Sequence, residues 1–137
     1  GLCDVIKSLK VPVLGICIGM QLMCRHSQEG DVDCLGIFDA DVCRFEPDLA
    51  AGVKVPHMGW NAVTDLKTGL FEGLEDGEFV YFVHSYAASV CEDTIAVSDN
   101  GRKFSAAMRR GNFYGAQFHP EKSGDVGERI LRNFMNI

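Results

Sequence analysis

The stretch Val11-Pro12-Val13-Leu14-Gly15-Ile16-Cys17-Ile18-Gly19-Met20-Gln21 sets one cysteine between two glycines at the end of an apolar run. Its apolar run from Val11 to Cys17 reads as a short central strand buried on both faces, as in a parallel sheet. From Ile18 to about Cys24 the pattern turns helical, which leaves Cys17 at the junction of a strand, a tight turn and a helix. A nucleophile fits such a turn. Gly15 and Gly19 leave room for a strained backbone and an approaching substrate, and unpaired N–H groups at a helix start favour a thiolate. The N–H of Ile18 offers one donor to a tetrahedral oxyanion. The competing reading is that Cys17, like most isolated free cysteines, is a small hydrophobe filling the core, and G-x-C-x-G alone leaves both readings standing. Cys3, Cys24, Cys34, Cys43 and Cys91 take the second.

Outward from this junction, Gly1 to Lys10 carries Leu2, Val5, Ile6 and Leu9 on one helical face with no preceding cap, so the chain is expected to open in mid-fold. Ser27 to Asp31 reads as a loop. Leu35 to about Asp65 holds strand-like pieces (36–38, 41–45, 60–63) broken by turn residues, expected as antiparallel strands at one side of the sheet. Leu70 to Leu74 reads as a helical turn, and Glu78 to Val83 as a buried strand running into His84-Ser85-Tyr86. Thr94–Ser98, Phe104–Met108 and Phe113–Phe118 complete the strands, with a hairpin turn at Arg110-Gly111-Asn112. A last helix, capped by Ser123 or Asp125, has Val126, Ile130, Leu131 and Phe134 on one stripe and Glu128 placed for a capping box. The expectation is one α/β domain over residues 1–137, a mixed sheet flanked by helices.

A net charge of -6 over 137 residues with no basic cluster excludes nucleic acid and anionic membrane surfaces as main partners. No apolar run of membrane-spanning length and no signal-peptide pattern is visible, so a soluble, cytoplasmic protein is expected. The six cysteines are irregularly spaced without a C-x-x-C, which points to reduced thiols and away from zinc. No two histidines have helical metal spacing, so neither a catalytic metal nor another cofactor is expected.

A thiol nucleophile needs a base. His119 follows an apolar strand directly, Pro120 blocks regular continuation, and Glu121 lies where a carboxylate can fix the imidazole tautomer. His26 reads as solvated, and His57 and His84 as hydrogen-bonded structural histidines.

These residues together resemble the class I (triad) glutamine amidotransferases: Gly15-Ile16-Cys17-Ile18-Gly19-Met20-Gln21 is similar to the elbow, and Gln117-Phe118-His119-Pro120-Glu121-Lys122-Ser123 to the base and carboxylate. Lys54-Val55-Pro56-His57-Met58-Gly59-Trp60-Asn61 and Tyr81-Phe82-Val83-His84-Ser85-Tyr86 narrow the resemblance to the glutaminase subunits of imidazole glycerol phosphate synthases, over essentially the whole chain. The resemblance implies a triad of Cys17, His119 and Glu121, with glutamine as substrate and its ammonia passed to a (β/α)8 cyclase subunit in histidine biosynthesis. It implies that Gln21, Glu29, Ser85 and Tyr86 line the glutamine pocket. It also places Pro56, His57, Met58, Gly59, Trp60 and Asn61 at the cyclase interface, with Trp60 as an aromatic anchor on a loop and Lys122 in an intersubunit ion pair.

Family members normally carry a preceding segment with the first strands of the sheet and a glycine-rich loop that completes the oxyanion site. The expectation is that this chain lacks them and alone is a poor glutaminase, slowed by on the order of 10²–10³ through the missing donor. Two alternatives stand beside it: a non-catalytic module that docks on the cyclase, and a triad amidotransferase serving another acceptor.

Overall fold

The computed structural model describes residues 1–137. Its elements run α1 (Leu2–Ser8), β1 (Val13–Ile16), α2 (Ile18–Leu22), β2 (His26–Ser27), β3 (Val32–Asp33), β4 (Asp41–Arg44), β5 (His57–Val63), β6 (Glu78–His84), β7 (Tyr86–Ala88), β8 (Thr94–Asp99), β9 (Lys103–Arg110), β10 (Phe113–Ala116) and α3 (Gly124–Met135). Short 3-10 turns at Gly69–Phe71 and Pro120–Lys122 interrupt the loops. No helix is long and apolar enough to cross a membrane.

The strands form three sheets with the orders β1-β10-β9-β8, β3-β2-β4-β7 and β5-β6. Two pairings are parallel, β1 with β10 and β2 with β4, and the rest are antiparallel, so the α/β architecture is mixed as expected. The larger apolar cluster joins Phe45, Phe82, Phe104, Tyr114 and Phe118 to Ile130 of α3, and the smaller one packs Met20, Met23 and Cys24 of the α2 region on Phe38, Val42 and Met108. Two layers of apolar side chains thus hold α2 and α3 on the strands that end at the site.

Several elements differ from expectation. Only Val13–Ile16 of the opening run forms a strand, paired in parallel with β10, and Val13, Leu14 and Ile16 stay half-buried in this chain. Val11 has no strand neighbour and lies exposed. Residues 36–38 are not a strand: Gly36, Ile37 and Phe38 donate their N–H groups to the carbonyls of Cys24 and Met23, closing the end of α2 while Phe38 fills the core. Ser27, expected to open a loop, instead lies in the two-residue strand His26–Ser27, which pairs with Val32–Asp33. In α3 the stripe is buried at Ile130, but Ser123 caps it without a side-chain bond, and Glu128 pairs with Arg132 at 2.7 Å in place of a capping box.

Candidate active site

Cys17 stands between β1 and α2 with φ 55° and ψ -109°, a left-handed conformation that costs a non-glycine residue energy and persists only when neighbours enforce it. They do so from both sides. Its N–H donates to Ala116 at 2.7 Å, and its carbonyl accepts from Met20 and Gln21 at 3.1 and 3.2 Å. Beneath it, Gly15 and Gly115 are register partners on adjacent strands. A Cβ on Gly15 would come within 2.7 Å of the Gly19 carbonyl carbon, and one on Gly115 would overlap the Met20 side chain. The glycine pair is the floor on which α2 lies, and it lets the helix start one residue after the strand ends.

The Cys17 sulfur is half-buried. Gln117 Nε2 donates to it at 3.6 Å, and the thiol faces the Val83 carbonyl at 3.9 Å. Burial pushes its pKa up; the N–H of Ile18, directed at the sulfur, and the Gln117 amide pull the other way, while the Glu121 charge raises it and Lys122 lowers it. The helix-start argument predicts a favoured thiolate, yet burial is the largest influence here and outweighs the Ile18 and Gln117 donors. The resting thiol therefore keeps its proton and needs a base. No hydrogen bond joins it to His119.

His119 follows β10 at the start of the Pro120–Lys122 turn. Its Nδ1 donates to Glu121 Oε1 at 2.6 Å, so the neutral ring leaves Nε2 bare as a proton acceptor. The turn is fastened to β6 by two bonds, His119 N–H to the Tyr81 carbonyl at 3.0 Å and Tyr81 N–H to Ser123 Oγ at 3.0 Å, and is closed on itself by Ser123 Oγ donating to the His119 carbonyl at 2.6 Å. The hydroxyl expected to cap α3 is spent on this clasp.

One cleft of about 290 Å³ is lined by Cys17, Ile18, Gln21, Glu29, Val83, His84, Ser85 and Tyr86. The sequence-predicted pocket residues Gln21, Glu29, Ser85 and Tyr86 are thus brought together with the thiol, whereas His119 and Glu121 stand outside its wall. Wider depressions, such as the one of about 400 Å³ by Glu78, Glu128 and Arg132, hold no nucleophile. Gln21 is buried and spends its amide nitrogen on the Tyr86 carbonyl and on Gln117 Oε1, both at 2.9 Å; its own oxygen takes no bond from the protein. Glu29 is exposed at the rim.

The 56–61 segment is not a loop from His57 onward but the first part of β5, paired with β6 so that Trp60 faces Tyr81 and His57 faces His84. Alternation separates its side chains. Met58 and Trp60 are exposed, with Phe79 of β6 on the same face, and Trp60 meets the Tyr81 ring edge-on. His57 points the other way and is buried, stacked on Phe82, so the expectation that it presents a docking face gives way to a core position. Asn61 joins it, its Nδ2 reaching His57 Nε2 and the Asp99 carbonyl. Gly59 and Asn61 are half-buried, and Pro56 is exposed.

The two buried histidines form one ordered pair. The Tyr86 carbonyl can only accept, so His84 Nδ1 carries the proton; its Nε2 then accepts from His57 Nδ1 at 2.8 Å, and His57 Nε2 accepts from Asn61. Burial lowers both pKa values, that of His84 to about 4. They are structural, as their context in the sequence suggests. His26, read as solvated, lies at the surface between Asp31 and Asp33, each at 2.9 Å. Lys122 is exposed beside the clasp. All six cysteines are free, but Cys3 and Cys43 lie at the surface and only Cys24 is fully buried. Sequence reasoning gave no role to Gln117 or Val83 and only a helix cap to Ser123; an amide closing the apolar run Phe113-Tyr114-Gly115-Ala116 was the available sign for the first.

The glutamine amidotransferase class-I family matches residues 2–137, and the chain belongs to it. Within that class, it is 58% identical over 137 residues to imidazole glycerol phosphate synthase subunit HisH of Bacteroides thetaiotaomicron, covering 100% of this chain and 69% of that one. It is 60% identical to the same subunit of Bacteroides fragilis with the same coverage, and 49% identical to that of Xanthomonas euvesicatoria, of which it covers 68%. Among solved structures it shares its fold with a GMP-synthase-type protein of Thermoplasma acidophilum, at TM-score 0.70 and 24% identity, covering 98% of this chain and 61% of that one. A Thermotoga maritima glutamine amidotransferase follows at TM-score 0.61 and 20% identity, with 98% and 51% covered.

Proposed function

We propose that this chain hydrolyses glutamine and delivers the ammonia to a (β/α)8 cyclase subunit, as the glutaminase of an imidazole glycerol phosphate synthase in the cytoplasm. Cys17 attacks the side-chain amide carbon, His119 takes the thiol proton and returns it to the departing nitrogen, and Glu121 holds the imidazole by its Nδ1–H. Ammonia leaves, a glutamyl thioester remains on Cys17, and water cleaves it to glutamate and free thiol. The Ile18 N–H is one oxyanion donor. Gln21 Oε1 and Glu29 accept from the substrate ammonium, and Ser85 and Tyr86 line the amino-acid end.

The observation that carries this reading is the single cleft in which a strained elbow thiol meets Gln21, Glu29, Ser85 and Tyr86. The identity to three synthase subunits supports the choice of partner. Met58, Trp60 and Lys122 form the docking face, and Pro56, Gly59 and Asn61 shape its strand. Because Tyr81, the cross-strand partner of Trp60, also holds His119, a docked cyclase sits one residue from the base. The test is glutamate release by the protein with the cyclase, for the wild type and Cys17→Ser. Loss of release in the variant supports the reading. Unchanged release, or cyclase binding with no glutaminase activity in either protein, overturns it in favour of another nucleophile or a docking module.

A further inference from the structure

We propose that Gln117 is a catalytic residue of this site: its amide nitrogen donates to the Cys17 sulfur, and its amide oxygen ties that donor to Gln21 at the substrate's amino-acid end. The proposal rests on the reading of Cys17 as the nucleophile and adds to it the group that steadies the ionised sulfur.

Gln117 is fully buried among apolar neighbours, where an amide is costly unless both its ends are hydrogen-bonded. A methionine or leucine would fill the same space without that cost. Its N–H donates to the Ala106 carbonyl at 2.8 Å, which fixes the backbone, and its side chain makes two bonds: Oε1 accepts from Gln21 Nε2 at 2.9 Å, and Nε2 donates to Cys17 Sγ at 3.6 Å. The orientation is determined and not a matter of choice. The Tyr86 carbonyl can only accept, so it draws the nitrogen of Gln21 toward it, at 2.9 Å. That nitrogen has a second proton, which only the oxygen of Gln117 can take. The nitrogen of Gln117 is then left facing the sulfur, and a flipped amide would set two NH2 groups against each other.

Such a donor strengthens as the thiol becomes a thiolate, because hydrogen bonds to an ionised group are about twice as strong as neutral ones. It therefore acts when the proton leaves Cys17 and again when the thioester breaks and the thiolate departs. Gln21 reports substrate to the same chain of bonds, since its free oxygen lies at the cleft while its nitrogen holds Gln117.

The experiment follows the pH dependence of Cys17 alkylation by iodoacetamide, read by peptide mass spectrometry, together with kcat and KM for glutamine in the complex with the cyclase. Gln117→Met should raise the apparent thiol pKa by about one unit and slow alkylation near neutral pH by about tenfold, with kcat falling and the urea midpoint retained. Gln21→Met, which frees the Gln117 oxygen without touching its donor, should shift the same profile in the same direction by less, and it tests the proposal if Gln117→Met does not fold. An unchanged alkylation profile in both variants overturns the proposal and leaves Gln117 as core filling. That failure is separable from failure of the glutaminase reading, which shows itself as retained activity in Cys17→Ser.

Discussion

Replacing Gly15 by alanine should break the elbow, whereas replacing Gly19 should not, although the sequence motif treats the two glycines alike. A Cβ on Gly15 meets the backbone of α2 at 2.7–2.9 Å, where ordinary contact is 3.4–4 Å, so helix and strand must part by about 1 Å. Overpacking costs about 1–3 kcal/mol, and a collision with backbone, which no rotamer relieves, puts Gly15→Ala near the upper end. A loss of about 3 kcal/mol lowers Tm by roughly 10 °C in a domain of this size. Gly19 has nothing within 4 Å of its missing Cβ and lies inside α2, so Gly19→Ala should stabilise by about 0.5–1 kcal/mol through helix propensity. Circular-dichroism melting of both variants, with the iodoacetamide rate at Cys17, is the assay. Gly15→Ala should melt early and alkylate with altered kinetics, because the Ile18 and Gln117 donors lose their register with the sulfur. Equal destabilisation by the two substitutions, or a Gly15→Ala variant that melts with the parent, would refute the steric account of the elbow.

Ser123→Ala removes the acceptor of the Tyr81 N–H and the donor to the His119 carbonyl, and should cost about 1–3 kcal/mol in urea unfolding and lower kcat more than it changes KM. His84 takes a proton in the unfolded chain near pH 6.5 but resists it to about 4 when folded, so stability should hold above pH 6.5 and fall by roughly 2 kcal/mol between there and pH 5. His84→Gln should flatten that slope, measured as urea midpoints at pH 7.5 and 5; His26, whose pKa is raised by Asp33 and Asp31, works in the opposite sense at the surface. Trp60→Ala should weaken cyclase binding by about 2 kcal/mol, roughly thirtyfold, without changing Tm, since Trp60 is half exposed; an unchanged Kd by calorimetry would remove it from the interface.

The elbow was legible because its signal is local: an apolar run, two glycines and a change of period fall within eleven residues. The HPE turn was legible for the same reason, and α3 from its stripe. What the sequence concealed depends on pairing at a distance. Residues 60–63 read as strand-like, but 57–59 carry a histidine and a glycine that suggest a loop, and only their register with Glu78–His84 extends the strand over them and sends Met58 and Trp60 outward and His57 inward. Two-residue strands such as His26–Ser27 have no period to detect. Gln117 and Ser123 acquire their roles from atoms 100 and 42 residues away, Cys17 and Tyr81, which no spacing rule reaches.

Whether Cys17 is the thiol that attacks glutamine is tested most directly by treating the protein in its complex with the cyclase with a diazoketone analogue of glutamine and mapping the adduct. A single adduct on Cys17 is expected, suppressed by glutamine and accompanied by loss of glutamate release. Labelling spread over all six cysteines, or preferred at the half-buried Cys91, would contradict it.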